Sequence, residues 1–152
     1  MDVEIEQRIA ATPERVFAVF TDFRQADQRL SGIDRLEVLT DGPIREGAEF
    51  RETRTLFGQT RTETLRLTAF EPPRRYTVTG ESCGVRFDTT FTFEPTDDGQ
   101  ATLVNMHLHS TSLTILATLM TPLSALTAGS LKSMMQRDLD ELRAVCEQSA
   151  QA

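Results

Sequence analysis

The chain contains no tryptophan, a single tyrosine, two histidines and two cysteines. Each shortage removes a class of explanation. Without tryptophan, no pocket lid can be built on an indole. Cys83 and Cys146 lie far apart without metal-ligand spacing, so they read as free thiols in a reducing cytoplasm rather than as a zinc site or a disulfide. No glycine-rich phosphate loop or nucleophile elbow is present, which removes the local signatures of nucleotide binding and of serine hydrolases. The opening Met1-Asp2-Val3-Glu4 is acidic and strand-like, with neither a basic nor an apolar leader region, and predicts no secretory signal. Between Ser112 and Leu131 there is no charge, yet seven Ser or Thr residues, Pro122 and Gly129 make that stretch too polar to cross a bilayer. It predicts a buried helix instead.

What remains is ordinary globular material. At 152 residues, with 39% hydrophobic and 26% charged side chains, the chain predicts one domain over 1–152. A chain this long buries roughly 70% of its unfolded surface, enough for a core with some volume to spare. Sixteen basic against 23 acidic residues leave a net charge of -7, which disfavours nucleic acid and anionic membranes as partners.

Hydrophobic periodicity sets the layout. Val3, Ile5 and Ile9 alternate with Asp2, Glu4, Glu6 and Arg8, the pattern of a half-buried strand. Thr12-Pro13-Glu14 then supplies an N-cap, a proline at the first helical position and an early acid, ahead of the apolar stripe Val16, Phe17, Val19 and Phe20. Asp22–Leu30 adds one or two further helical turns. Turn signals at Asp41-Gly42-Pro43, Phe57-Gly58, Glu71-Pro72-Pro73, Ser82-Cys83-Gly84 and Asp97-Asp98-Gly99 delimit strands near 33–40, 48–57, 60–70, 74–80, 84–95 and 100–110. Spacings this short favour antiparallel hairpins. The period then changes: Leu131, Met135, Leu139, Leu142 and Cys146 mark an amphipathic helix, expected to begin near Ser112 with a kink at Thr121-Pro122. The expected fold is α+β: a seven-stranded curved antiparallel sheet wrapped around a long C-terminal helix, with one or two short helices after the first strand. A curved sheet and a straight helix cannot touch everywhere, so an internal cavity is expected between them.

The run Ile9-Ala10-Ala11-Thr12-Pro13-Glu14-Arg15-Val16-Phe17 followed by Thr21-Asp22-Phe23 resembles the opening of bacterial START/Bet v 1-like (SRPBCC) proteins. Leu39-Thr40-Asp41-Gly42-Pro43, Gly47-Ala48-Glu49-Phe50-Arg51-Glu52, Glu71-Pro72-Pro73-Arg74-Arg75 and Phe91-Thr92-Phe93-Glu94-Pro95 continue the likeness over nearly the whole chain. It is strongest to the polyketide cyclase/dehydrase or lipid-transport-like group. The resemblance implies a helix-grip fold with a hydrophobic cavity, in a superfamily holding lipid and hormone carriers as well as polyketide cyclases. Where relatives often carry an aromatic residue before position 33, this chain reads Asp27-Gln28-Arg29-Leu30-Ser31-Gly32.

Candidate pocket residues follow from which face each strand turns inward. On the third strand Glu52 and Arg54 share a face with Phe50 and Leu56. They form either an internal ion pair, with Arg54 able to bind an acid, or an outward charged face. Arg61 and Glu63 pose the same choice beside Leu65 and Leu67. Tyr76 offers a phenol, and Phe87 and Phe91 offer aromatic walls. Met120, Leu123 and Met134 lie on the gripping helix, where methionine suits an adaptable wall. On the last strand, hydrophobicity turns Val104, Met106 and Leu108 inward. The resemblance turns Leu103 inward and with it Asn105, His107 and His109, and this second arrangement is adopted for the candidate site. It gives two imidazoles able to hydrogen-bond a ligand or move protons near neutral pH. It also leaves Val104–Leu108 as an exposed apolar row suited to a homodimer contact. Two histidines without further ligands predict no metal site, and no cofactor is expected.

The expected function is binding of a hydrophobic or amphipathic small molecule, such as a lipid, a polyketide-like compound or an isoprenoid. The alternatives are a cyclase/dehydratase-type enzyme in the same cavity and a protein-interaction module without ligand. No complete catalytic constellation is visible.

Overall fold

The structure, a computed structural model, describes residues 1–56, 58–82, 84–113 and 128–149, apart from the side chains of Leu56, Ala128 and Ser149. Strand β1 (Asp2–Ile9) leads into helix α1 (Pro13–Phe20), a 3₁₀ turn (Phe23–Gln25) and the short helix α2 (Ala26–Arg29). Six strands follow: β2 (Arg35–Val38), β3 (Glu49–Leu56), β4 (Gln59–Glu71), β5 (Arg75–Ser82), β6 (Val85–Thr96) and β7 (Ala101–Ser112). Helix α3 (Ala128–Ser149) closes the described chain. All neighbouring strands are antiparallel, in the order β1-β7-β6-β5-β4-β3-β2. This is the α+β helix-grip arrangement expected from the hairpin spacings and the terminal amphipathic stripe.

Local chemistry explains the elements. Thr12 caps α1 through its hydroxyl, which accepts from the Arg15 N–H at 3.3 Å, and Pro13 follows at the first helical position. On α3 the predicted stripe of Leu131, Met135, Leu139, Leu142 and Cys146 is buried, with Met134 and Val145 half-buried on its flank. Ser112 itself still pairs with Val85 at the end of β7, and residues 114–127, where the helix is expected to begin, lie outside the described residues. The proposed kink at 121–122 lies outside the described residues.

The helix is fastened on both sides of the sheet. On the β1 side, Gln7 Nε2 donates to Asp140 at 3.0 Å and the Ala10 N–H donates to Glu147 at 3.1 Å. On the opposite side, Ser31 donates from its N–H and its hydroxyl to Glu141, at 2.8 and 2.7 Å. Arg54 of β3 donates to Asp138 at 2.9 Å.

The core sits where β1, β7 and β6 meet α1 and α3. Val3, Ile5, Ile9, Phe93, Val104, Met106 and Leu108 from the sheet are buried against Val16, Phe17, Phe20 and the α3 stripe. Each such side chain contributes about 2 kcal/mol of transfer free energy. Phe17 and Phe20 meet Phe93 edge-on with ring centroids 5.3 Å apart, the geometry aromatic quadrupoles favour.

Candidate functional site

The inner face of the sheet changes character from one side to the other. Cross-strand register places Val85, Phe87, Thr89 and Phe91 of β6, Val78 and Gly80 of β5, and Glu63 and Leu65 of β4 on the same face as the core. On this β3–β6 side the apolar residues Leu65, Val78, Phe87 and Phe91 are half-buried, unlike their neighbours beneath α1. Met134 of α3 is half-buried too. The candidate residues Leu65, Phe87, Phe91 and Met134 share the inner side of the sheet, while Met120 and Leu123 lie outside the described residues.

Phe50 and Tyr76 are placed deeper. Phe50 is buried, with its ring centroid 4.5 Å from Phe23. Tyr76, 3% exposed, stacks on Phe91 at 4.7 Å and meets Phe17 and Phe23 edge-on. Burial pushes its phenol well above the ordinary tyrosine range, so it stays protonated.

Beside this wall lies a charged cluster. Arg54 Nε donates to Glu52 at 2.8 Å and Nη2 donates to Asp138 at 2.9 Å, with side-chain exposures of 15%, 20% and 14% for Arg54, Glu52 and Asp138. Of the two readings open for Glu52 and Arg54, the internal ion pair is the one adopted. Glu63 stands opposite Glu52 in the ladder and is half-buried. Burial opposes the Arg54 charge, but Glu52 and Asp138 outweigh it and raise its pKa. For Asp138, burial dominates and raises the pKa despite the Arg54 partner, with repulsion from Glu52 and Glu141 adding to it. One cation thus faces an excess of carboxylates, and burial makes the charged form of Asp138 costlier than that of an exposed aspartate.

Two atoms of the cluster are buried without a hydrogen-bond partner: Arg54 Nη1, a donor, and Asp138 Oδ1, an acceptor. Both approach Gly32, where an added Cβ would stand 3.0 Å from Arg54 Nη1, 3.0 Å from Arg137 Nη2 and 3.4 Å from Asp138 Oδ1. The absent side chain at position 32 is what lets the guanidinium and the carboxylate come together there. Sequence reasoning missed Asp138 and Gly32. The available signal was spacing: Met134, Asp138, Glu141 and Val145 follow one flank of α3, adjoining the buried stripe.

Asn105, His107 and His109 require correction. They project from the outer face of β7, opposite Glu6, Glu4 and Asp2 of β1. Val104, Met106 and Leu108 are buried instead. The physical reason is register: Val3 and Ile5 pair with Leu108 and Met106, so the apolar faces of the two strands coincide. His107 and His109, with side chains 43% and 50% exposed, both contact Asp2 Oδ1, at 3.0 and 2.8 Å. The His109 contact, followed by that of His107, holds the Asp2 carboxyl below its ordinary range. The homodimer contact drawn from an exposed Val104–Leu108 row falls with it, since that row is core. Among the described residues no group of three or more His, Cys, Asp or Glu is placed to hold a metal ion. Among them, too, no helix is long and apolar enough to cross a membrane.

A helix gripped by a curved antiparallel sheet, with polar groups along one side of its inner face, defines a class of small-molecule-binding folds. Residues 1–147 match the family described as polyketide cyclase / dehydrase and lipid transport, and the chain belongs to that family. No curated protein matches it by sequence. Among solved structures it is similar to the Zhui aromatase/cyclase of a Streptomyces species, with a TM-score of 0.80 at 17% identity over 99% of this chain and 95% of that one. A Thermus thermophilus protein aligns over 100% of both chains with a TM-score of 0.75 at 21% identity. Norcoclaurine synthase of Thalictrum flavum aligns over 99% of this chain and 96% of its own, with a TM-score of 0.74 at 14% identity. At such identities the likeness is one of fold.

Proposed function

We propose that the chain is one ligand-binding domain that holds a hydrophobic or amphipathic small molecule, of lipid, polyketide-like or isoprenoid type, between the β3–β6 side of the sheet and the C-terminal helix. The observation that carries this reading is the row Leu65, Val78, Phe87 and Phe91. Four large apolar side chains share the inner face of a folded sheet, half-buried, while the same face beneath α1 is sealed. Covering such a row with an apolar ligand gains roughly 25 cal/mol per Å² removed from water. The Glu52–Arg54–Asp138 cluster supplies the few polar groups that fix a ligand's orientation. The family description, which includes lipid transport, supports the same reading. A cytoplasmic location is in keeping with the free, buried thiol of Cys146.

A second reading, a cyclase or dehydratase acting in the same space, is favoured by one specific feature. Asp138, whose pKa burial raises, stands beside a fixed cation, a pairing able to exchange a proton with a ligand carbonyl and stabilise the charge that develops. The aromatase/cyclase and synthase among the similar folds belong with this reading.

Native mass spectrometry of the purified protein, followed by denaturation and solvent extraction, tests the binding reading. The expected result is a stoichiometric organic molecule, carried through purification or taken up from an added fatty acid or aromatic polyketide. A protein that carries nothing and takes up neither class overturns it.

A further inference from the structure

The outer face of the sheet brings the chain's two histidines to one point. His107 and His109 hold alternate positions on β7, so both imidazoles leave the same side of the strand. His107 Nε2 stands 3.0 Å from Asp2 Oδ1, and His109 Nδ1 stands 2.8 Å from the same oxygen. The rings lie side by side, with centroids 6.4 Å apart and planes inclined by 27°. Two imidazole nitrogens thus converge on a single position, which a carboxylate oxygen fills.

Along the sequence these histidines have no third ligand. The pairing of β1 with β7 supplies one from the other end of the chain. Further carboxylates flank the pair: Glu4 lies opposite His107 on β1, and Asp88 lies opposite His109 on β6. Glu4 accepts from Asn105, and Asp88 accepts from Thr79 and Arg86, so Asp2 is the carboxylate that faces both rings. Acidic surroundings on a chain of net charge -7 favour a cation over an anion at this place.

The donor atoms select the kind of cation. Imidazole nitrogen suits zinc, nickel and copper, whereas magnesium and calcium prefer oxygen. As the side chains stand, no set of three is assembled, since the point of convergence holds Asp2 Oδ1 itself. With zinc–nitrogen bonds of about 2.1 Å, a cation at that point requires each ring to close in by roughly 0.7–0.9 Å. Asp2 then turns aside and becomes the third ligand. Side chains 43%, 50% and 59% exposed, for His107, His109 and Asp2, have room for such shifts. Each ring carries its N–H on the nitrogen away from the metal. For His109 this is Nε2, 3.2 Å from Thr111 Oγ1, whose oxygen accepts the proton and steadies the ring.

We propose that His107, His109 and Asp2 form a surface site for one divalent transition-metal ion (zinc, nickel or copper), with water completing its shell. The site lies on the face of the sheet away from the proposed ligand space and does not depend on the binding reading. A cation held there ties the first strand to the last.

Proton NMR of the whole chain, prepared without a histidine tag, tests the site, because His107 and His109 are its only sources of imidazole signals. Zinc chloride is titrated into the parent, and magnesium chloride into a second sample. The expected result is that zinc shifts or broadens both imidazoles together, with one half-saturation point, while magnesium at the same concentrations moves neither. Removing one ring by His107→Ala or His109→Ala should weaken zinc binding at the other by about tenfold or more. Asp2→Asn should weaken it by a smaller factor. The parent titration is decisive by itself. Imidazoles that zinc leaves unmoved, that respond at different zinc concentrations, or that magnesium moves equally overturn the site. A single-histidine variant that binds zinc as tightly as the parent also overturns it, and undiminished affinity in Asp2→Asn overturns the place given to the carboxylate.

Discussion

Two halves of one sheet face are built from the same kinds of residue and meet different fates. Under α1 and α3, Phe93, Val104, Met106 and Leu108 are buried, interlocked with Phe17, Phe20 and Leu139. Toward β3–β5, Phe87, Phe91, Val78 and Leu65 remain half-buried, and Glu52, Arg54 and Asp138 join them. Interiors pack as densely as organic crystals, so the first half has no slack to give. The second half combines incomplete packing with a charge cluster whose donor Arg54 Nη1 and acceptor Asp138 Oδ1 are unpartnered. The first half is sealed throughout, whereas the second, packed at Phe50, Leu67 and Tyr76, also carries the means to recognise a ligand.

The sharpest way to break this division is to truncate one phenylalanine from each half. Phe93→Ala should cost about 4 kcal/mol in urea unfolding, the price of a large cavity in a packed core. Phe87→Ala should cost about 1 kcal/mol and weaken ligand uptake instead. Equal losses would erase the distinction.

Arg54→Met leaves Glu52 and Asp138 facing each other without a cation and should lower stability by about 3 kcal/mol by the same measurement. Arg54→Lys should recover only part of this, because an ammonium cannot reproduce the two-armed contact. Gly32→Ala forces a methyl group to within 3.0 Å of Arg54 Nη1 and Arg137 Nη2 and should cost about 1 kcal/mol.

The next effect is one of pH. Asp138 holds its proton to higher pH in the folded protein than in the unfolded chain. Its contribution to stability is therefore full below the unfolded-state pKa and is lost as pH rises through the raised folded value. Asp138→Asn removes that dependence, so the variant should gain on the parent as pH rises from acid toward neutral, measured by urea unfolding across that range. The smallest effect belongs to the outer face: His107→Ala and His109→Ala should each shift stability by no more than about 0.5 kcal/mol and leave ligand uptake unchanged.

Much of the architecture was legible because it depends on short-range chemistry. The Thr12-Pro13 cap, the turns that end the strands and the stripe from Leu131 to Cys146 each declare themselves within a few residues, and all lie as expected. The face of β7 is decided by its neighbour and not by likeness to relatives. β1 has an unambiguous apolar face, and pairing with it turns Val104, Met106 and Leu108 inward and sets the histidines against Asp2 and Glu4. Asp138 was illegible for a different reason. Its partner is 84 residues away, and their meeting depends on how α3 is rotated over β3, a quantity no local pattern carries.

The division between a sealed and a receptive half is tested most directly by methyl NMR during titration with a fatty acid. The account predicts saturable shifts at Leu65 and Val78, with Val104, Leu108 and Leu139 unmoved. Shifts centred on the sealed half, or no saturable shift at Leu65 and Val78, would contradict it.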